Sequence, residues 1–88
     1  MRWKVKIAHS ALKSMKRFPK QDANRLLFVL EEFQTNPYQG DIEKIKGEDN
    51  VWRIRVGTYR ILYEVFPSEK SVEVFRVERR STNTYKKR

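Results

Sequence analysis

Cysteine is absent from this 88-residue chain. That excludes disulfides, thiol nucleophiles and cysteine-built metal centres. Histidine is almost as scarce: His9 stands alone, so chemistry needing two imidazoles is excluded, and a zinc site lacks a ligand set. His9 itself reads as a helix-start or surface residue. No run approaches the roughly 18 apolar residues of a membrane span. The N-terminus, MRWKVKIAHS, is basic but lacks the apolar stretch of a signal peptide. A cytoplasmic protein is the expectation. With only three glycines there is no glycine-rich phosphate loop, and no HExxH occurs. The acids, among them Glu31, Glu32, Asp41, Glu43, Glu48 and Asp49, are scattered and suggest no magnesium cluster. Neither a metal nor another cofactor is expected.

Positive charge is what the chain has in excess. Twenty Lys and Arg against eleven Asp and Glu leave a net charge of +9. Such a surface attracts polyanions and speeds its encounters with them. Charge alone does not separate nucleic acid from an acidic protein, or RNA from DNA. Hydrophobic residues at 39% suffice for one core, and the length suits a single domain over 1–88.

Trp3, Val5 and Ile7 alternate with Lys4 and Lys6, the pattern of a first strand. After Ser10, read as an N-cap, Ala11, Leu12, Met15 and Phe18 recur at helical spacing. Pro19 stops that helix. A second helix begins near Lys20 to Asp22, buries Ala23, Leu26, Leu27, Leu30 and Phe33, and stops before Asn36-Pro37. Residues 38–50 read as polar and irregular, anchored by Ile42 and Ile45. Val51 to Val56 and Tyr59 to Val65 are strands joined by Gly57-Thr58, a two-residue hairpin signal. Ser71 to Val77 forms the last strand. The predicted fold is α+β, in the order β-α-α-β-β-β, with an N-terminal helical hairpin packed on one face of an antiparallel sheet.

A two-residue turn sets Arg55 across from Arg60, Ile54 across from Ile61 and Arg53 across from Leu62. Trp52, Ile54, Val56, Tyr59, Ile61, Tyr63 and Val65 then share the side the helices cover. Arg53, Arg55 and Arg60 gather on the opposite side. Like charges directly across strands are destabilising, and a phosphate between them would reverse that sign. Arginine's planar donors suit phosphate oxygens. A solvated face on which the long side chains splay apart is the alternative. Leaving the last strand are Arg76, Arg79, Arg80, Lys86, Lys87 and Arg88, with Tyr85 among them in the sequence. Basic residues interleaved with an aromatic are how single-stranded nucleic acid is gripped. The five-residue loop before the last strand leaves open which of these residues join the arginine face.

The segment KIKGEDNVWRIRVGTYRILYEV, followed by a short strand and RVERRSTNTY, resembles the RelE/ParE toxin superfamily, most closely its RelE-like ribonuclease toxins. The likeness spans nearly the whole chain. The motif is shared with gyrase-inhibiting ParE proteins, so it marks the superfamily more sharply than the activity. The resemblance implies a toxin that enters the ribosomal A site, contacts 16S rRNA and cuts mRNA there. The implied reaction is metal-independent attack of the 2′-hydroxyl on its adjacent phosphate. Matched by motif, Arg53 and Arg55 take the two basic strand positions. Arg60 follows the turn, and Arg80 and Tyr85 take the tail positions. The resemblance assigns catalysis to Arg55, Arg60, Arg80 and Tyr85 and phosphate contact to Arg53, while the basic tail adds Arg76, Arg79, Lys86 and Lys87 as expected RNA contacts. Many relatives carry Gly-His before the tail arginine; here Glu78-Arg79 stand in its place. That makes Tyr85 the leading proton carrier, with Glu78 as a weaker base. An acidic antitoxin is the implied protein partner. A gyrase poison, or an inactive relative that binds RNA or antitoxin, are the other readings.

Overall fold

The computed structural model describes residues 2–79. Strand β1 (Lys4–Ile7) leads into helices α1 (His9–Lys16) and α2 (Lys20–Glu32). Strands β2 (Ile42–Lys44), β3 (Val51–Val56), β4 (Tyr59–Phe66) and β5 (Ser71–Arg79) follow, and a 3₁₀ turn at Pro67–Glu69 joins the last two. All five strands form one sheet in the order β1-β5-β4-β3-β2. Two helices on a sheet, α+β, is the architecture the sequence predicts.

It differs from that prediction in four places. Residues 42–44 form an edge strand, pairing Ile42 with Ile54, Glu43 with Arg53 and Lys44 with Trp52. Three residues in a polar stretch carry too little periodicity to announce a strand. Second, β1 runs parallel to β5, making the sheet mixed. Alternation reveals which side chains face the core but carries no strand direction. Third, α1 starts at His9 with Ala8 as N-cap, and no side chain caps it, Ser10 included. The Ala8 N–H donates to the Val74 carbonyl at 2.8 Å, so the chain passes from strand straight into helix. Fourth, Leu12 and Leu27 are exposed, as is Phe28 at 60%. Leu26 and Leu30 take the buried stripe of α2, and Leu27, about 100° round from Leu26, lies beyond it.

The core forms where the helices meet one face of the sheet. Ala11, Met15, Leu26, Leu30 and Phe33 pack there with Ile54, Tyr59, Ile61, Tyr63, Val65, Val72, Val74 and Val77. The hairpin residues expected to face inward do so, with Trp52 and Val56 partly buried at the margin. The β3–β4 register is the one a two-residue turn dictates, with Arg55 opposite Arg60 and Val56 opposite Tyr59. Gly57 has φ +62°, and it is the only positive φ within that turn. This is the pattern of a II′ hairpin, where the first central position favours glycine.

In β5 the buried valines are spaced 72, 74, 77, which strict alternation would forbid. A bulge resolves the conflict: the register shifts between Leu62 and Tyr63, and Phe75 is the extra residue. Val77 is thereby returned to the core. Arg76 and Glu78 go to the open face, opposite Leu62 and Arg60.

Tyr63 is fully buried, and its hydroxyl donates to the Pro37 carbonyl at 2.7 Å, pinning the segment after α2 to the core. Burial pushes this hydroxyl's pKa far above its ordinary value. Tyr63→Phe leaves that buried carbonyl unsatisfied and should lower unfolding free energy by about 1–2 kcal/mol in urea denaturation. An unchanged midpoint would show that the bond contributes nothing.

Candidate nucleic-acid interface

The helices cover only one face of the sheet, so every second residue of β3, β4 and β5 is presented on the other. Read across the strands, these residues form rows. Extending the β2–β3 register by one pair sets Asp41 beside Arg55, and the Arg55 N–H donates to the Asp41 carbonyl at 3.0 Å. The first row is therefore Asp41, Arg55, Arg60, Glu78. The second is Glu43, Arg53, Leu62, Arg76. The third holds Val51, Glu64, Glu73 and, across the parallel pair, Lys6. Arginine is thus concentrated at the end of the face nearest the Gly57-Thr58 turn.

Each hairpin arginine is held by a carboxylate of the same chain. Arg55 Nε donates to Asp41 Oδ2 at 3.1 Å, and Arg60 Nη2 to Glu78 Oε1 at 2.8 Å. The other oxygen of Glu78 takes Arg76 Nε at 2.5 Å. Arg53 pairs with Glu43. Arg55 and Arg60 are therefore neighbours in the row whose guanidinium groups are drawn to opposite flanks. The arginines share the uncovered face, and the counter-ion of the like-charged pair is built into the chain. Arg55 and Arg60 keep 45% and 43% of their side chains exposed, whereas Arg53, at 13%, lies down along the sheet. Two guanidinium donors, Arg53 Nη1 and Arg60 Nε, are shielded and donate no hydrogen bond within the described residues. Shielded donors without a partner are rare in folded proteins.

The predicted site residues thus divide. Arg53, Arg55, Arg60 and Arg76 lie on the open face. Arg79 lies opposite Tyr59, with its guanidinium 5.6 Å from the centre of that ring, on the helix-covered side. Arg80, Tyr85, Lys86 and Lys87 fall outside the described residues. Glu78, read from the sequence as a weak base, is the carboxylate clamped between Arg60 and Arg76. Asp41 and Glu43 went unread as site residues because their strand neighbours depend on β2. His9 is exposed at the start of α1. No three His, Asp or Glu side chains gather as metal ligands among the described residues.

The turn is braced from the helix side. Tyr59 donates to Asp22 Oδ2, in the first turn of α2, at 2.6 Å. Arg25 of α2 lies over Gly57. Arg60 and Tyr59 leave the same strand in opposite directions, so this bond fixes the segment from which Arg60 projects.

The family model described as "ParE toxin of type II toxin-antitoxin system, parDE" matches residues 5–84. RelE1 of Methanocaldococcus jannaschii is 30% identical over 83 residues, covering 91% of this chain and 92% of that protein. The toxin RelE3 of the same organism is 42% identical over 66 residues, covering 70% and 75%. Among solved structures, the archaeal RelE–RelB complex from Pyrococcus horikoshii matches with a TM-score of 0.81 at 25% identity, covering 93% of this chain and 99% of that one. The RelB–RelE complex from Methanococcus jannaschii matches at 0.71 and 34%, covering 84% and 88%. The chain belongs to the ParE toxin family within the RelE/ParE superfamily, and its relatives place it on the RelE-like side.

Burial, followed by the Asp22 hydrogen bond, raises the Tyr59 pKa above its ordinary value. The fold holds this phenol neutral, so its contribution is complete below the unfolded pKa of about 10 and lost as pH climbs through the folded value. Stability measured across alkaline pH should therefore fall above about pH 10, and less steeply in Tyr59→Phe. Equal slopes would contradict this assignment.

Proposed function

We propose that this RelE-like toxin is a metal-independent endoribonuclease that cuts mRNA in the ribosomal A site, and that an acidic antitoxin restrains it. The observation that carries this reading is the gathering of Arg53, Arg55, Arg60 and Arg76 on a sheet face the helices leave open. Such a set offers planar donors to the scissile phosphodiester and to its neighbours.

In the proposed reaction the 2′-oxygen forms a bond to the adjacent phosphorus, and the bond to the 5′-oxygen breaks. The products are a 2′,3′-cyclic phosphate and a 5′-hydroxyl. One proton leaves the 2′-oxygen and one reaches the 5′-oxygen. Negative charge builds on the phosphoryl oxygens between these events, and guanidinium groups that the substrate has drawn from their carboxylates stabilise it. Arg55 and Arg60 serve that role best, being adjacent, half-exposed and permanently charged. Arg53 and Arg76 contact flanking phosphates. Proton transfer falls to Tyr85, and Arg80 completes the catalytic set, as the resemblance implies.

Two relatives of solved structure are RelB–RelE complexes. Their antitoxins support an equivalent partner here, and a net charge of +9 suits an acidic one. A gyrase-poisoning activity is the second reading, favoured by the matching of a ParE family model.

In a reconstituted translation system with primer extension, the purified chain should produce new mRNA ends at A-site codons only when ribosomes are present. Arg60→Ala and Arg55→Ala should each lower the cleavage rate by about 10²–10³-fold with the circular dichroism spectrum retained. DNA breaks with gyrase and no mRNA ends would establish the second reading instead. Full cutting by both variants would remove these arginines from the site.

A further inference from the structure

We propose that Asp41 and Glu78 are specificity-determining residues of the arginine face: they hold the positions phosphate would take, so that RNA must displace them to bind. This rests on the reading of that face as a phosphate site, and it adds a threshold that the cationic charge alone would not impose.

The row geometry carries the argument. Arg55 and Arg60 are direct cross-strand partners. Two unscreened guanidinium groups at that spacing repel one another and favour any anion that comes between them. Here the outer positions of the same row are both carboxylates, and each binds the arginine next to it. Glu78 reaches its position through the Phe75 bulge. Without the shift in register, strict alternation from Val74 would bury Arg76 and turn Val77 outward. The bulge thus exchanges an unpaired cation under the helices for a carboxylate clamp on the open face. Four arginines on this face, Arg53, Arg55, Arg60 and Arg76, meet three carboxylates, Glu43, Asp41 and Glu78. The local excess is 4 − 3 = +1, although the chain as a whole carries +9.

Carboxylates beside a phosphate site do two things. They fix guanidinium groups that would otherwise sample many rotamers, and they compete with incoming anions. Pairs this exposed are individually weak. A phosphodiester offered to both arginines at once, in a fixed orientation, can displace them. Phosphates of a freely tumbling strand engage one arginine at a time and displace them poorly. The face therefore discriminates between RNA presented rigidly and RNA in solution, through residues that take no part in bond breaking.

The test measures binding without cleavage. A fluorescein-labelled single-stranded 2′-O-methyl RNA, which has no free 2′-hydroxyl, is titrated with the full chain and followed by anisotropy at several salt concentrations. Asp41→Asn with Glu78→Gln should tighten binding by about 2–30-fold, the equivalent of two exposed pairs. It should also steepen the dependence of log K on log salt by about 1.4, two phosphate contacts on a single strand. Glu64→Gln with Glu73→Gln changes net charge equally, but on residues that make no ion pair with the face arginines, and serves as the control. Tightening by the first pair well beyond the control supports the exchange. Identical affinities and slopes for the two double variants, or none for either, overturn it. Should the double variant lose its fold, Glu78→Gln alone must still exceed Glu64→Gln alone. Cleavage by wild type with no exchange effect would sink this inference and leave the nuclease reading standing. Exchange without any mRNA cutting would do the reverse.

Discussion

Two arginines facing each other across antiparallel strands are the constraint around which this molecule is arranged. The Gly57-Thr58 turn fixes the hairpin register, and the register fixes Arg55 opposite Arg60. Neither side chain can retreat into the core, because alternation commits both to the face without helices. Their repulsion is met by Asp41, just before β2, and by Glu78 in β5. Those carboxylates are available only because β2 adds an edge beside β3 and a bulge brings Glu78 into line in β5. Two otherwise unremarkable irregularities of the sheet thus have one electrostatic consequence.

The division of labour between the two faces follows from burial. The helix-covered face holds the apolar side chains that stabilise the fold, with Leu26, Ile61, Tyr63, Val65, Val72 and Val74 fully enclosed. The open face contributes little apolar burial and is correspondingly able to carry charge. The hydroxyls of Tyr63 and Tyr59 tie the helical layer to the sheet at separate points, Pro37 and Asp22. The second lies directly behind the arginine row. The helices thereby hold the strand from which Arg60 projects while touching none of the face itself.

Much of this was legible in the sequence, for identifiable reasons. The β3–β4 hairpin was readable residue by residue, since a two-residue turn leaves one register and the period of two assigns each side chain a face. The helices were readable from Pro19 and Pro37 and from the spacing of Leu26, Leu30 and Phe33. Strand β2 was not, because three residues among polar neighbours show no period, and with it the partners Asp41 and Glu43 were lost. The role of Glu78 was obscured by the bulge: the Val72, Val74, Val77 spacing departs from alternation, and that departure is the signal that could have revealed it. Leu27 and Leu12 were misplaced because helical spacing tolerates a wider apolar stripe than this small sheet covers. The parallel pairing of β1 with β5 joins residues too far apart in sequence for local pattern to report.

In the proposed reaction Arg55 and Arg60 together receive a single phosphodiester. Arginine Nε–Hε resonances in a nitrogen-15 spectrum report this most directly, in the Asp41→Asn, Glu78→Gln variant, whose face arginines are freed of their carboxylates, titrated with a non-cleavable 2′-O-methyl dinucleotide. Arg55 and Arg60 are expected to shift together with one binding constant, while Arg17, the C-cap of α1, stays where it was. Independent shifts with different constants, or uniform small shifts of every arginine, would contradict it.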